Sequence, residues 1–303
     1  MADGMGLRTN SNLTLISLIL ISPLKALSMW PIGILINTHL NHSTMSKPIL
    51  FALFMLGIGM MQANAQSDST MMMAPIQADR PDQTESAYLV PKGYFQMEHG
   101  FSIEDTDPGF IYSYPSSLWK YGVNDNFEIR LTTDYITIQH EPDPDLNGFL
   151  PLSIGFKSKL SEEHGLLPQM AFIGHMVFPG IVSKELETTY FAPSLQLAFN
   201  HNVSDFFSVG YTVGAAWDGE TGEPNFLYSL SPSISITDRL GLFVEGYGST
   251  PQRDEDEIEL RVDAGLTYLI GNDFLLDVSA GKGITDNAPE QFVSFGFSYR
   301  FKL

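Results

Sequence analysis

Val293-Ser294-Phe295-Gly296-Phe297-Ser298-Tyr299-Arg300-Phe301-Lys302-Leu303 decides the fold. Large apolar side chains fall at every second position: Val293, Phe295, Phe297, Tyr299, Phe301 and Leu303. Between them stand Ser294, Gly296, Ser298, Arg300 and Lys302. Successive side chains of a strand point to opposite faces, so this is a strand with one apolar and one polar side. About 9–11 residues cross a bilayer when the strand is tilted. The stretch reads as the closing strand of an all-β protein, a transmembrane antiparallel up-and-down β-barrel.

The same alternation recurs back to residue 94. Residues 127–135 set Phe127, Ile129, Leu131, Thr133 and Tyr135 against Glu128, Arg130, Thr132 and Asp134. Residues 226–236 set Phe226, Tyr228, Leu230, Ile234 and Ile236 against a row of serines, Ser229, Ser231, Ser233 and Ser235. Residues 167–178 are apolar on both parities, which leaves their faces open. About 12 strands result, an even number as bacterial barrels require.

Alternation alone would equally serve a soluble sandwich. Three features favour a membrane barrel. The polar face is rich in Gly, Ser and charges of both signs, which suits a wet lumen. Aromatics such as Tyr121, Tyr135, Trp217 and Phe274 sit toward strand ends, like interfacial girdles. Connections also alternate in length. Short links are expected at residues 124–126, 161–165, 201–205, 237–239 and 271–273. Long ones are expected at 104–116, 137–151, 179–190, 218–225, 249–257 and 282–290. Short periplasmic turns and long external loops give that pattern, with both ends of the mature chain in the periplasm.

The composition agrees. Of 303 residues only 17% are charged while 12% are aromatic, and the net charge is −19. Apolar surface facing lipid fits these values better than a large aqueous domain does. The absence of cysteine excludes disulfides, thiolate metal sites, a Cys nucleophile and a lipoprotein anchor. The acidic balance argues against nucleic acid, which calls for basic patches.

Residues 45–65 read as a signal peptide. Met45-Ser46-Lys47 gives a positive start, residues 48–61 are apolar, and Ala63-Asn64-Ala65 is an A-x-A cleavage site. Residues 1–44 hold apolar pieces broken by Pro23, Lys25 and Pro31, and read as an upstream mis-start or non-native extension. Residues 66–90 are an irregular periplasmic lead-in, and residues 91–303 form the outer-membrane barrel.

The lead-in carries Asp79-Arg80-Pro81-Asp82-Gln83-Thr84-Glu85-Ser86, followed by Val90-Pro91-Lys92-Gly93-Tyr94-Phe95-Gln96-Met97-Glu98. A second stretch reads Tyr121-Gly122-Val123-Asn124-Asp125-Asn126-Phe127-Glu128-Ile129-Arg130. Together they resemble a family of Gram-negative outer-membrane barrels, transporters of the phenol meta-degradation pathway type. The resemblance implies transport of small solutes, with aromatic or apolar ones suggested by the family label alone. Such barrels commonly end in Phe, so assembly recognition here is expected to rest on Phe301 and Tyr299. The expected partners are membrane lipid, the barrel-assembly and periplasmic chaperone machinery, and a small-molecule solute.

The inward-facing charges are candidate lumen-lining residues: Glu98, Lys120, Glu128, Arg130, Asp134, Lys157, Lys159, Glu259, Arg261, Asp263, Asp277 and Arg300. Two readings stay open for them. They form a salt-bridged network filling a narrow lumen, or they line a solute path and set its selectivity. Asp79, Arg80, Asp82 and Glu85 are candidates for a plug within that lumen, against a plain periplasmic tether. Acidic loop residues (Glu104, Asp105, Asp107; Glu141, Asp143, Asp145; Asp254 to Glu257) lack the spacing of a calcium motif, and neither metal nor cofactor is expected. Enzymes of the outer membrane use Ser, His and an acid. No strand carries His and Ser two residues apart on one face, so no enzymatic activity is expected. The alternatives to a passive channel are a structural or adhesin-type barrel and an outer-membrane lipid hydrolase.

Overall fold

A computed structural model describes residues 73–106, 109–139, 144–180, 182–251 and 258–303. The expected signal peptide at 45–65 and the upstream segment 1–44 lie outside the described residues. So do His140 and the loop acids Asp107, Glu141, Asp143 and Asp254 to Glu257.

Among the described residues the chain forms one antiparallel sheet. Its strands are β1 (Tyr94–Asp105), β2 (Phe110–Asn124), β3 (Phe127–Gln139), β4 (Leu146–Phe149), β5 (Leu152–Ser161), β6 (Gln169–Phe178) and β7 (Ala192–Asn202). They continue as β8 (Phe207–Trp217), β9 (Pro224–Ser235), β10 (Leu240–Pro251), β11 (Glu259–Ile270), β12 (Phe274–Gly283) and β13 (Gln291–Lys302). Each strand pairs with its neighbour in sequence, and β13 pairs with β1 along its whole length, from Tyr94 opposite Lys302 to Asp105 opposite Gln291. The exception is local: short β4 and longer β5 both pair with β3 and occupy one position in the wall. Pro151 lies between them and has no N–H for the ladder. The result is a closed barrel of twelve strands. Closure leaves no free sheet edge and satisfies the backbone within hydrocarbon.

The faces follow the alternation. On β13, Val293 and Phe295 are more than half exposed while Ser294, Ser298 and Arg300 are buried. On β1, Gln96, Glu98 and Ser102 are buried, and Ile103 faces out. In a chain of this composition the exposed apolar face is the lipid face. The short turns and both ends of the barrel sequence share one rim, the turn end; the other rim is the loop end.

The link expected at 137–151 is partly strand, since β3 runs on to Gln139 and β4 forms within it, and two further expectations change. The link expected at 104–116 shrinks to residues 106–109, because β2 begins at Phe110. Phe110, Tyr112 and Tyr114 do alternate with inward Ile111 and Ser113. The pairing with β3 then shifts between Ser113 and Ser116, and that irregularity at Pro115 breaks the parity a reader follows.

The ambiguous stretch is β6, starting at Gln169 rather than 167, and it turns Ala171, Ile173, His175 and Val177 inward. Its inner face is apolar because it meets apolar partners. Ile173, Ala171 and Ala198 pack on Ala87 and Leu89 of the lead-in. Val177 joins Ile111, Ile136, Ile138, Leu150 and Ala192, together with Leu186 from a 3-10 turn (Lys184–Leu186) in the β6–β7 connection.

Candidate functional site

Residues 75–90 of the lead-in run inside the barrel. The segment enters beside the β11–β12 turn, where the Ile76 amide donates to the Asn272 carbonyl at 2.8 Å. Asp79 is fully buried, and three cations from adjacent strands converge on its carboxylate. Lys120 on β2 and Arg130 on β3 both reach Oδ2 at 2.8 Å, and Lys157 on β5 reaches Oδ1 at 2.9 Å. Strand register explains the convergence. Lys120 lies directly opposite Arg130, and Glu128, two residues before Arg130, lies opposite Lys157.

Further carboxylates complete the network. Glu85 of the lead-in bonds Arg130 at 3.0 Å, and Glu98 on β1 pairs with Lys120. Glu98 also accepts the amides of Asp79 and Arg80, and Glu128 accepts the Val90 amide at 2.7 Å. A buried charge is tolerated only when paired and hydrogen-bonded, and this network meets that demand through the lead-in itself.

The opposite wall holds the same segment. Glu245 on β10 accepts the amides of Gln83 and Thr84, both at 2.6 Å. The Glu85 amide donates to Thr212 Oγ1 on β8 at 3.0 Å. Arg80 reaches β12 and β13, donating to Asp277 at 3.0 Å and Ser294 at 2.9 Å. Its guanidinium lies over Gly100 and Gly296. A Cβ on Gly100 would stand 2.0 Å from Arg80 Nη1, so a side chain there would displace the arginine.

The remaining candidates are distributed as follows. Glu259 and Arg261 form a second cluster nearer the loop end, where Arg261 pairs with Glu259 and bonds Glu104 on β1 at 2.9 Å. Asp134 is buried opposite Ser116, and Asp263 lies opposite Glu245. Asp82 lines a cavity beside the lead-in. Lys159 and Arg300 stand apart from the central network, at the turn-end rim. They pair with Glu162 at 3.0 Å and Asp273 at 2.7 Å.

Sequence reasoning missed two interior carboxylates. Glu104 falls within the link expected at 104–116, because the irregularity at Pro115 hides the first half of β2. Glu245 sits between inward Phe243 and Tyr247, and those two rings hide the polar parity of β10. A His–Ser contact was also missed because it crosses strands. His99 Nδ1 lies 2.8 Å from Ser117 Oγ, in register between β1 and β2. Its surroundings are the rings of Trp119 and Phe297.

The cavity has a volume of about 350 Å³ and lies between the lead-in and the turn-end halves of β7–β11. Ser208, Ser231, Ser233, Ser235 and Thr267 line it.

The family described as "Putative MetA-pathway of phenol degradation" matches residues 78–301, from the lead-in to the end of β13. The chain belongs to that family. None of the curated proteins is similar enough in sequence to match. Among solved structures, the chain is similar to an outer membrane channel from Pseudomonas putida F1, at 12% identity and a TM-score of 0.56. That likeness covers 71% of this chain and 98% of the channel, and it shows the shared barrel fold. A KdgM porin in complex with disordered oligogalacturonate gives 10% identity and a TM-score of 0.48, over 69% of this chain and 99% of that one. The CymD monoaromatic hydrocarbon channel gives 9% identity and a TM-score of 0.41, over 71% and 89%.

Proposed function

We propose that the chain is a passive outer-membrane channel for small solutes, with residues 75–90 seated in its lumen as a plug. The observation that carries this reading is a closed barrel whose interior is polar and hydrogen-bonded to its own N-terminal segment, with a cavity left beside it. Family membership supports the same reading. In it, the turn end and both ends of the mature chain face the periplasm, and the loops face outward. Insertion then proceeds through periplasmic chaperones and the barrel-assembly machinery. Solutes cross by diffusion, selected by width and by the groups that remain exposed when the plug shifts.

Liposome swelling tests this. Proteoliposomes of the refolded mature chain, placed in isotonic small solutes, should swell faster than protein-free vesicles. Swelling equal to protein-free vesicles for every solute, with the barrel correctly folded, would overturn the channel reading.

A further inference from the structure

We propose that the cavity beside the lead-in is a binding site for small, uncharged, polyhydroxylated solutes rather than for apolar aromatics. The proposal rests on the channel reading and narrows its substrate class. At about 350 Å³ the cavity falls in the range of small-molecule sites, roughly 300–1,000 Å³. Part of its lining comes from the lead-in, between Pro75 and Tyr88, part from the inner wall of β8 and β9, and part from the turn-end residues of β7 and β10–β12, which add apolar side chains such as Leu242 and Leu269.

That wall has a regular chemistry. Neither β8 nor β9 contains a charged residue. Their inward positions carry hydroxyls in register: Ser208 lies opposite Ser233 in the cavity wall, and Thr212 lies opposite Ser229 beyond it, where both are bonded to the lead-in. Inward positions recur about every 6.6–6.8 Å along a strand and about 4.8 Å between strands. The wall is therefore a lattice of small hydroxyls, with Ser231 and Ser235 continuing the row toward the turn end. Gly210, opposite Ser231, makes room for the Thr84 side chain of the lead-in, which a Cβ there would meet at 3.2 Å. Ser231 lines the cavity, and its Oγ is buried and makes no hydrogen bond to the described residues.

A hydroxyl both donates and accepts, and a solute bearing several hydroxyls can match such a lattice in more than one pose. A charged solute gains little: Arg80 and Glu85 are already engaged, and Asp238 and Arg239, exposed in the β9–β10 turn that also lines the cavity, carry opposite signs. Arg80 holds Asp277, and Glu85 holds Arg130. An apolar ring would cover the hydroxyls while bonding none of them, which is the costly way to bury a polar group.

Equilibrium binding to the refolded full mature chain in zwitterionic detergent tests the proposal, with labelled arabinose, toluene and benzoate as probes. Arabinose should bind saturably, and toluene and benzoate should not. The Ser231→Ala/Ser233→Ala double variant should weaken arabinose binding about tenfold. Ser279→Ala, on β12 and outside the cavity lining, serves as the folded control and should not change it. Saturable toluene or benzoate binding without arabinose, arabinose binding unchanged in the double variant, or no saturable binding of any probe would each overturn the proposal. Swelling without arabinose binding would remove the site and leave the channel reading. Binding without swelling for any solute would remove the channel reading and leave the site.

Discussion

Asp79→Asn is the sharpest perturbation of the lumen network. It keeps the shape of the side chain and deletes one buried negative charge. Lys120, Arg130 and Lys157 lie within 2.8–2.9 Å of that carboxylate. Removing one partner of a buried ion pair costs roughly 3–5 kcal/mol. Lys120 keeps Glu98, and Arg130 and Lys157 keep Glu85, so the low end, about 3 kcal/mol, applies. At about 1.4 kcal/mol per factor of ten, the population with the lead-in undocked should rise about a hundredfold. The chain has no cysteine, so a single reporter can be added without removing any. Ala87 is fully buried against Ala171, Ile173 and Ala198, and Ala87→Cys is small enough to stay there. Its thiol should be labelled only when the segment leaves the wall. When reclosing is fast, the labelling rate follows the open population. Adding Asp79→Asn should accelerate labelling about a hundredfold with the barrel still folded. A rate within about threefold of the parent would refute the claim that Asp79 anchors the segment.

Gly100→Ala should act on the same equilibrium from the wall side, because its Cβ takes the place of the Arg80 guanidinium. Loss of the charged bonds to Asp277 and Ser294 should cost about 1.5–3 kcal/mol and speed labelling of the Ala87→Cys reporter at least tenfold; an unchanged rate would contradict it. Leu230→Arg places a charge on the lipid face and should destabilise the inserted barrel by roughly 2–4 kcal/mol in urea titrations from liposomes. Ser233→Arg, on the lumen side of the same strand, should insert as the wild type does; equal loss in both would contradict the face assignment. In the β8–β9 loop, burial, and then Asp218 beside it, raises the Glu220 carboxyl above its ordinary value. An acid whose folded pKa is raised favours the folded loop at low pH. That advantage fades as pH rises from the ordinary carboxylate value through the raised one. A carbon-13 carboxyl titration should place the Glu220 midpoint above that of Glu220 in the unfolded chain; an equal or lower midpoint would exclude the effect.

The barrel was legible because lipid on one side and polar groups on the other impose a period of two, which residues 127–135 of β3, 229–235 of β9 and 293–302 of β13 keep, and beyond which inward Ile136, Leu227 and Phe292 interrupt it. Where the reading failed, a physical cause interrupts the period. Pro115 and the register shift beside it hid the first half of β2. Inward rings at Phe243 and Tyr247 hid Glu245. The two-sided apolar pattern of β6 was ambiguous because its inner face packs on Ala87 and Leu89, residues distant in sequence. Apart from Glu104 and Glu245, the charges of the central network could be named strand by strand from parity alone. Their convergence on Asp79 could not, since it depends on the path of a segment that has no periodicity of its own. Lys159 and Arg300 share the correct parity yet sit at the rim, because parity fixes the face and says nothing about depth.

Single-channel recording in planar bilayers addresses the central claim directly, with wild-type and Asp79→Asn proteins measured side by side. A solute-conducting lumen occupied by its own N-terminal segment requires discrete current steps in both, with a larger open fraction in the variant. A membrane that stays silent for both folded proteins, or open fractions that coincide, would contradict it.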